Sequence, residues 1–333
     1  KKYNLLMSKI KNISVIGLGY VGLPFALAIC NGISKANLKS KVHGIDLDVN
    51  KITKIQNGNL PLDTKDIKLK SSFNKAIRNK ILTVSSSYNK IIISDVVVIS
   101  INFDLAHFST KKNLFNKNFL NLFKIIGAKI KEHSIIVVQS TIPPGTGDTI
   151  IIPILIKEFL KRKIDPSNLN YVHSYERVMP GLKYLDSISN NWRCYGANNI
   201  TAEKKFQKFA SIFINTNKFP LYKMKNVMHS ETAKILENSY RALNIALMSE
   251  WSIFAQKNNL DLFNIIEGIK NRPTHKNIMK PGLGVGGYCL TKDPIFMNYS
   301  NIILNKQKTN FKLTNLAVQI NKKMPNNSID IID

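Results

Sequence analysis

Cys289 has the sequence surroundings of a reactive thiol. It follows a glycine-rich run, Gly282–Gly287, and Asp293 comes four residues after it. Glycines let a backbone approach a ligand closely. A thiol beside them can attack that ligand, and a nearby carboxylate can transfer protons. An isolated cysteine is often only a small buried hydrophobe, so the loop alone allows a nucleophile, a buried thiol or a simple turn.

A second group of residues predicts a dinucleotide site. Gly17, Gly19 and Gly22 form the pattern G-x-G-x-x-G directly after an apolar segment, and Asp46 ends the next apolar segment. In this context the glycines allow a tight turn, close approach to a pyrophosphate, and helix–sheet packing, while the acid accepts hydrogen bonds from a ribose diol. Because Asp46 would repel a 2′-phosphate, we predict NAD rather than NADP. The alternative to a dinucleotide site is that these glycines only shape a tight turn.

Lys234 and Asn238 form the third candidate group. They stand at positions i and i+4 of a helix predicted over 227–256, so they share a face of that helix. A cation and an amide donor that project together can stabilise an oxyanion. On spacing alone, the favoured interpretation is a solvated helix face.

The elements that must position these residues alternate between strand and helix in the first half of the chain. Such alternation predicts an α/β fold: an N-terminal Rossmann-type doubly wound sheet, followed by a mostly helical central domain with a long connecting helix. We place the dinucleotide-binding domain at 1–215 and a helical domain at 216–320, with a further segment at 321–333. The strands are predicted at Ile13–Ile16, Val42–Ile45, Val96–Ile99 and 135–139, and the helices at Leu23–Ile29, 227–256, Leu262–Ile269 and Phe311–Asn321.

Composition limits the classes of function. The chain has 333 residues and a net charge of +27, but its lysines are spread throughout and form no aromatic-interleaved block, so we expect no nucleic-acid partner. No apolar run reaches the length of a membrane helix. Three distant cysteines, Cys30, Cys194 and Cys289, fit neither a disulfide framework nor a metal site. We therefore expect a cytoplasmic protein without metal, with Cys30 and Cys194 buried.

Taken together, these motifs resemble the nucleotide-sugar dehydrogenases, the family of UDP-glucose and GDP-mannose dehydrogenases, and lean toward its bacterial UDP-sugar type. The motifs follow the family order along nearly the whole chain. They are the stretches 17–24, 140–146 and 175–181, the residues Ala233, Lys234, Glu237, Asn238 and Asn244–Ala246 of the predicted long helix, and the cysteine loop.

The resemblance implies a four-electron oxidation of the C6 alcohol of a UDP-sugar to a carboxylate, giving a UDP-uronic acid and reducing two NAD. In that pattern Cys289 captures the intermediate aldehyde as a thiohemiacetal, which is oxidised to a thioester and hydrolysed by water. Lys234 and Asn238 would hold the oxyanion, and Asp293 would assist the water and the lysine. Glu176 would be a general base acting through water near Thr141.

The resemblance also implies binding roles and a homodimer through the long helix. Besides Gly17, Gly19, Gly22 and Asp46, the residues expected at the cofactor are Tyr20, Val21, Ser140 and Thr141. Those expected at the substrate are Glu176, Arg177, Lys234, Asn238, Arg272 and Gly286, of which Arg272 is alternatively a contact with a second subunit.

Departures from the family pattern concern single residues and length. Tyr175 precedes Glu176 where many members have proline, Thr291 also replaces a proline, and the segment from Ile101 to Asp104 lacks the prolines common there. The resemblance implies that 216–320 is the catalytic and dimerisation domain and that 321–333 is the start of a C-terminal nucleotide-sugar-binding domain. We expect most of that last domain to be missing, so that the chain binds NAD but turns over substrate poorly. The alternatives are a single-step hydroxyacid dehydrogenase of similar architecture, which needs no cysteine, and an inactive NAD-binding fragment.

Overall fold

The computed structural model describes residues 10–103, 116–287, 289–304 and 309–329. The chain divides into two compact units, residues 1–231 and 232–333, and the division falls inside one continuous helix. The domain boundaries predicted at residues 215 and 321 stay predictions. The second of them lies within a helix, Lys312–Ile329. Asp104 lies outside the described residues.

The first unit is built on a mostly parallel sheet. Its strand order, β3-β2-β1-β4-β5-β6-β7-β8, reverses direction of growth at β1, and only the β6–β7 pair is antiparallel. This is the Rossmann-type arrangement, in which ligands bind beyond the carboxyl ends of the strands near that reversal. The strands are β1 Asn12–Ile16, β2 Lys41–Ile45, β3 Leu82–Ser85, β4 Val96–Ile99, β5 Ile135–Val138, β6 Asn170–His173, β7 Cys194–Ala197 and β8 Tyr222–Lys223.

Helices connect these strands. They are α1 Gly22–Lys35, α2 Val49–Gln56, α3 Ile67–Arg78, α4 Lys117–Lys129, α5 Ile152–Lys161, α6 Tyr184–Ser189 and α7 Ile200–Ala210, with a π-helical segment Gly147–Ile151 leading into α5 and 3₁₀ segments at Tyr88–Ile93 and Pro166–Asn168. Asp48 and Asp66 cap α2 and α3 through backbone N–H groups, as acidic N-caps do.

The core of this unit explains why its central elements are apolar throughout. All four residues of β4 and of β5 are buried, as expected of strands covered on both faces. Helix α1 is buried along most of its length, and a Cβ at Gly32 would lie 1.8 Å from the carbonyl oxygen of Ile212. Only glycine therefore allows this close packing, and the helix continues past Ile29, where the sequence pattern ends it.

The second unit is helical. Its elements are the C-terminal part of α8 (Val227–Lys257), α9 Leu262–Lys270, a 3₁₀ turn Pro273–His275, α10 Cys289–Lys292, a 3₁₀ turn Asp293–Ile295, α11 Phe296–Ile303 and α12 Lys312–Ile329. A small apolar core joins α8 and α9 through Met248, Ala255, Leu262 and Ile266. Within the described ranges, no helix combines the length and the hydropathy needed to cross a membrane.

Helix α12 is longer than the predicted Phe311–Asn321 and contains Pro325. The side chain of Asn321 donates to the Ala242 carbonyl of α8 at 2.9 Å, and Gly284 of the cysteine loop packs against Pro325. A proline removes one helical hydrogen bond and usually ends a helix. Here tertiary contacts at Asn321 and at Pro325 itself accompany a helix that continues through the proline.

Candidate functional site

The glycine loop after β1 has the shape of a pyrophosphate cradle. Gly17 has a φ of +89°, and a Cβ on it would lie 2.7 Å from the Ser100 carbonyl oxygen. A Cβ on Gly22 would lie 1.7 Å from the Gly17 carbonyl oxygen, whereas Gly19 has no atom within 4 Å of that position. Two of the glycines are therefore required by the fold itself, while the third leaves open space where backbone can approach a phosphate.

Asp46 follows β2, next to this loop. Its Oδ2 accepts from the Leu18 backbone N–H at 2.7 Å and from the Lys51 ammonium at 2.8 Å, and its Oδ1 accepts from the Asp48 N–H at 3.0 Å. Burial raises the pKa of Asp46, but the hydrogen bonds and the Lys51 charge outweigh it and lower that pKa overall. The group is thus a fixed carboxylate beside the glycine loop.

A cleft of about 320 Å³ joins these features. It extends from Gly17 and Gly19 to Asp46, and its other lining residues include Lys51, Tyr88, Ser100 and Asn102. The open side of Gly19, the ionised Asp46 and the shape of the cleft fit a dinucleotide with its ribose at Asp46. Lys51 and Tyr88 were not predicted from the sequence. Lys51 reaches Asp46 because Asp48 starts α2 and turns the chain back.

Tyr20 and Val21 complete the loop. The Tyr20 side chain is exposed, and its carbonyl accepts a hydrogen bond from the buried hydroxyl of Tyr184 on α6. Burial raises the pKa of Tyr184 far above its usual range, with smaller contributions from Glu176 and Tyr20. Tyr184 therefore stays a hydrogen-bond donor and holds the glycine loop through the Tyr20 carbonyl. No local sequence motif indicates this role.

Ser140 and Thr141 begin the loop after β5. Ser140 is buried and donates to the Ile101 carbonyl at 2.6 Å, while Thr141 is half-buried. Both lie at the carboxyl end of the sheet, like Gly17 after β1 and Asp46 after β2. The structure thus brings these predicted cofactor residues to the same edge of one sheet.

Glu176 and Arg177 follow β6 in the same unit. Oε2 of Glu176 accepts from the Val178 N–H at 2.5 Å. Arg177 donates to the Tyr175 hydroxyl at 3.1 Å and to the Trp192 carbonyl at 3.2 Å. Glu176 is therefore positioned by its own loop, and Arg177 by that loop and by the segment before β7.

Arg193 is a charged residue near Glu176 that the sequence analysis missed. Its guanidinium is buried against the rings of Phe25 and Phe213, at 5.3 and 5.8 Å from their centroids. Burial lowers the pKa of Arg193 to about 10, and the negative charge of Glu176 opposes that change. At neutral pH the guanidinium is still protonated and is therefore a buried positive charge near Glu176.

Cys289 is in the second unit, at the start of α10, and is exposed. The loop before it contains Gly284 and Gly287, whose φ angles of +127° and +85° favour glycine. Gly286 is exposed and has no atom within 4 Å of a built Cβ. Tyr288 lies outside the described residues. The glycines therefore shape an accessible loop that ends at the thiol.

Asn238 and Asp293 form a buried pair in the same unit. Nδ2 of Asn238 donates to Oδ2 of Asp293 at 2.7 Å, and both side chains are at most 8% exposed. Lys234, one turn before Asn238, is 6% exposed. The interpretation of Lys234 and Asn238 as a solvated helix face is wrong, because both are buried.

Arg272 is exposed at the N-cap of the Pro273–His275 turn, and its backbone N–H donates to the Ile269 carbonyl. Cys30 and Cys194 are buried, as expected, and burial raises the pKa of Cys30 far above its usual range. Among the described residues, no group of three or more histidine, cysteine or acidic side chains could hold a metal ion.

Sequence comparison decides the family. Residues 11–214 match the NAD binding domain of the UDP-glucose/GDP-mannose dehydrogenase family, and residues 228–323 match its central domain. The chain belongs to this family. It is thus a member of a family of NAD-dependent oxidoreductases, and its first unit contains the NAD binding domain.

Individual relatives agree with that assignment. The chain is 30% identical, over 95% of its length, to a UDP-N-acetyl-D-mannosamine dehydrogenase of Methanococcus vannielii, and spans 66% of that protein. A solved UDP-D-ManNAc dehydrogenase of Pyrococcus horikoshii has the same fold, with a TM-score of 0.81 at 24% identity, over 96% of this chain and 70% of the other. A 3-hydroxyisobutyrate dehydrogenase of Mycobacterium tuberculosis also shares the fold, with a TM-score of 0.59 at 13% identity, over 94% of this chain and 93% of the other.

Proposed function

We propose that this chain oxidises the C6 alcohol of a UDP-sugar to a carboxylate, with Cys289 as the nucleophile. The observation that carries the proposal is the cysteine loop: an exposed thiol, presented by glycines, four residues before a carboxylate that is bound to Asn238. A single alcohol oxidation needs no thiol. A cysteine becomes useful when an aldehyde must be retained for a second oxidation, because a covalent adduct cannot diffuse away.

Asp293 gives Asn238 a defined orientation. A carboxylate can only accept hydrogen bonds, so the atom of Asn238 that faces it must be the amide nitrogen. That nitrogen carries a second hydrogen, which can donate to an oxyanion. With the cationic Lys234 one turn earlier on the same helix, Asn238 would stabilise the negative oxygen that forms when Cys289 adds to a carbonyl.

NAD, when bound, supplies the hydride acceptor for each of the two oxidations. The chain's own residues would hold it at the glycine loop and at Asp46, with Ser140 and Thr141 at the same edge of the sheet. Water hydrolyses the final thioester, and Asp293 is the carboxylate that we assign to assist it. Glu176, whose Oε2 accepts from the Val178 N–H in its own loop, keeps the predicted role of general base.

For the sugar we propose UDP-N-acetyl-D-mannosamine. The support is that relatives 30% and 27% identical to this chain, from Methanococcus vannielii and Campylobacter jejuni, are UDP-N-acetyl-D-mannosamine dehydrogenases. The resemblance identified from the motifs left glucose and N-acetylhexosamine open. A panel of UDP-N-acetylmannosamine, UDP-N-acetylglucosamine and UDP-glucose, compared by kcat/KM, tests this choice.

The decisive measurement is the amount of NADH formed per molecule of sugar consumed. Two NADH support the proposal, and one NADH supports the hydroxyacid-type alternative, whose fold the chain shares. Substitution of the nucleophile, Cys289→Ser, is expected to abolish steady NADH release, because a serine hydroxyl is a far weaker nucleophile than a thiolate. Unchanged turnover of Cys289→Ser would refute the assigned role.

A chemical test of Cys289 does not depend on turnover. Iodoacetamide is expected to label Cys289 quickly, while buried Cys30 and Cys194 serve as internal controls that label only on unfolding. UDP-sugar together with NAD is expected to slow the labelling of Cys289. If neither protection nor NADH is observed with any of the three sugars, the inactive-fragment alternative stands instead.

We also propose that the chain forms a homodimer through α8. Large apolar side chains lie exposed on one face of this helix, within roughly 60° of arc at 3.6 residues per turn. Exposed contiguous apolar surface of this kind marks protein interfaces. Each is at least 46% exposed: Leu236, Tyr240, Leu247, Trp251 and Phe254.

The dimer is tested by light scattering on the purified chain. Wild type is expected to have twice the mass of one chain, and Leu247→Glu is expected to be monomeric because it places a charge within the apolar stripe. Ser252→Glu, on another side of the same helix, is the matched control and should leave the mass unchanged. A monomeric wild type at micromolar concentration would refute the proposal.

A further inference from the structure

The loop from Ser140 to Gly147 is held by side chains from the first two turns of α8. Glu231 is fully buried there. Its Oε2 accepts from the Gly145 N–H at 2.7 Å, and its Oε1 accepts from the Gly147 N–H at 2.8 Å. Each carboxyl oxygen thus binds one backbone donor of the loop, and all these atoms belong to the first unit.

The neighbouring Ser230 contacts the other end of the loop through a histidine. Its Oγ lies 2.9 Å from Nδ1 of His173, and Nε2 of His173 lies 3.3 Å from the Ser140 carbonyl oxygen. Because a carbonyl only accepts, the contact with Ser140 requires a histidine proton on Nε2. The Ser230 hydroxyl also lies 3.0 Å from the His173 carbonyl oxygen, so its single proton serves either that carbonyl or Nδ1. All three residues are buried.

Gly147 makes room for this arrangement. A Cβ at that position would lie 2.6 Å from Cγ1 of Val227, 2.8 Å from Oε1 of Glu231 and 3.2 Å from a ring carbon of Tyr171. A larger residue would therefore displace the Glu231 carboxyl group. The loop is thus fixed against the helix by Gly147, Glu231 and Ser230 together.

The groups that face Glu231 set its charge state. Asp148 on the π-helical segment and Tyr171 on β6 are its titratable neighbours. Burial, with a smaller contribution from Asp148, raises the pKa of Glu231 to about 8, and the two backbone hydrogen bonds oppose that rise. In a released loop, with Glu231 in water, that pKa would return to the ordinary range of a glutamate. Rising pH from about 5 to 8 therefore favours release.

We propose that Glu231 and Ser230 are positioning residues for the cofactor: they hold the 140–147 loop so that Ser140 and Thr141 stay in place at the carboxyl edge of the sheet. The proposal rests on the NAD site proposed above. Neither residue needs to touch the cofactor. Their effect is transmitted through the backbone of the loop, at Gly145, Gly147 and Ser140.

The first test is hydrogen exchange measured by mass spectrometry on the loop peptide. Glu231→Gln keeps the size of the side chain but leaves one backbone N–H facing an amide nitrogen. Exchange in the 140–149 peptide is expected to rise about tenfold, the effect of one lost buried hydrogen bond. Glu250→Gln, an exposed position on the same helix, is the matched control, and the 135–138 peptide reports any global loosening. Exchange equal to that control overturns the proposal.

The second test is NAD affinity by calorimetry as a function of pH. Wild-type affinity is expected to fall as pH rises toward and through 8, whereas Glu231→Gln should bind more weakly than wild type at pH 6 and lack this transition. A merely structural role would lower stability without removing the transition. Faster exchange combined with an unchanged pH profile would overturn the positioning role.

Ser230→Ala provides a milder variant if Glu231→Gln does not fold. It is expected to raise exchange at the start of the loop, near Ser140, and to leave the affinity transition near pH 8 intact. If the wild-type chain binds no NAD, the cofactor site itself fails, and the exchange experiment still decides whether Glu231 holds the loop.

Discussion

Neutralising Asp46 should change both the strength and the selectivity of cofactor binding. The carboxylate accepts hydrogen bonds from two backbone N–H groups and from Lys51, and its lowered pKa keeps it ionised at neutral pH. In Asp46→Asn the amide oxygen can replace one carboxylate oxygen. The amide nitrogen must face a donor or the ribose, and the negative charge is lost.

The expected size follows from the hydrogen bonds to the ribose. A hydrogen bond to a charged group contributes about 1.5–3 kcal/mol, so Asp46→Asn should weaken NAD binding by about 10- to 150-fold. NADP binding should become stronger in the same variant. Its 2′-phosphate is no longer repelled, and the Lys51 ammonium, now without its carboxylate partner at 2.8 Å, can pair with it.

Calorimetric titration of both dinucleotides measures the ratio of their dissociation constants. Asp48→Asn is the matched control. It removes the same charge at a position two residues further on, where the Asp48 side chain is 51% exposed and 4.0 Å from the Lys51 ammonium. That control should change NAD affinity less than about threefold. If Asp46→Asn binds NAD as wild type does, or if the NADP ratio does not move, Asp46 is not the ribose ligand.

Two further predictions separate function from stability. Gly19→Ala should change the free energy of unfolding by less than about 0.5 kcal/mol, because no atom lies within 4 Å of a Cβ at that position, yet it should weaken NAD binding about tenfold or more. Gly22→Ala, by contrast, should not fold. Equal melting temperatures for the two variants would contradict this account. Asn238→Ala should lower the free energy of unfolding by about 1–3 kcal/mol, because it removes a donor from buried Asp293. The neighbouring Ser239→Ala should leave that free energy unchanged or raise it in chemical denaturation, because the buried Ser239 hydroxyl has no hydrogen-bond partner among the described residues. A larger loss for Ser239→Ala than for Asn238→Ala would reverse that interpretation.

The sequence predicted the elements with strong patterns. The apolar strands β1, β2, β4 and β5 and the long helix α8 were located to within one or two residues. Strands such as β6 were missed because their buried positions include polar residues, Asn170 and His173, whose hydrogen-bond partners are distant in sequence. Polar residues at core positions do not give an apolar pattern.

The candidate site was predictable where chemistry is local. Gly17, Gly19, Asp46 and Cys289 belong to short motifs whose spacing has a physical reason. The residues that were missed act mostly through contacts with residues far away in the chain: Tyr184, Arg193 and Glu231. Lys51 depends instead on the helix cap at Asp48. Such contacts leave no signature in a single sequence.

The position of Glu231 has a consequence for how this protein can be divided. The family's NAD binding domain ends at residue 214, but the carboxyl group that binds Gly145 and Gly147 comes from residue 231, on a helix that continues without a break into the second unit. A Rossmann segment cut at its family boundary would leave the Gly145 and Gly147 N–H groups without their acceptor. The dinucleotide fold is thus not a portable module here: grafting or expressing it alone requires the first two turns of α8, which include Glu231.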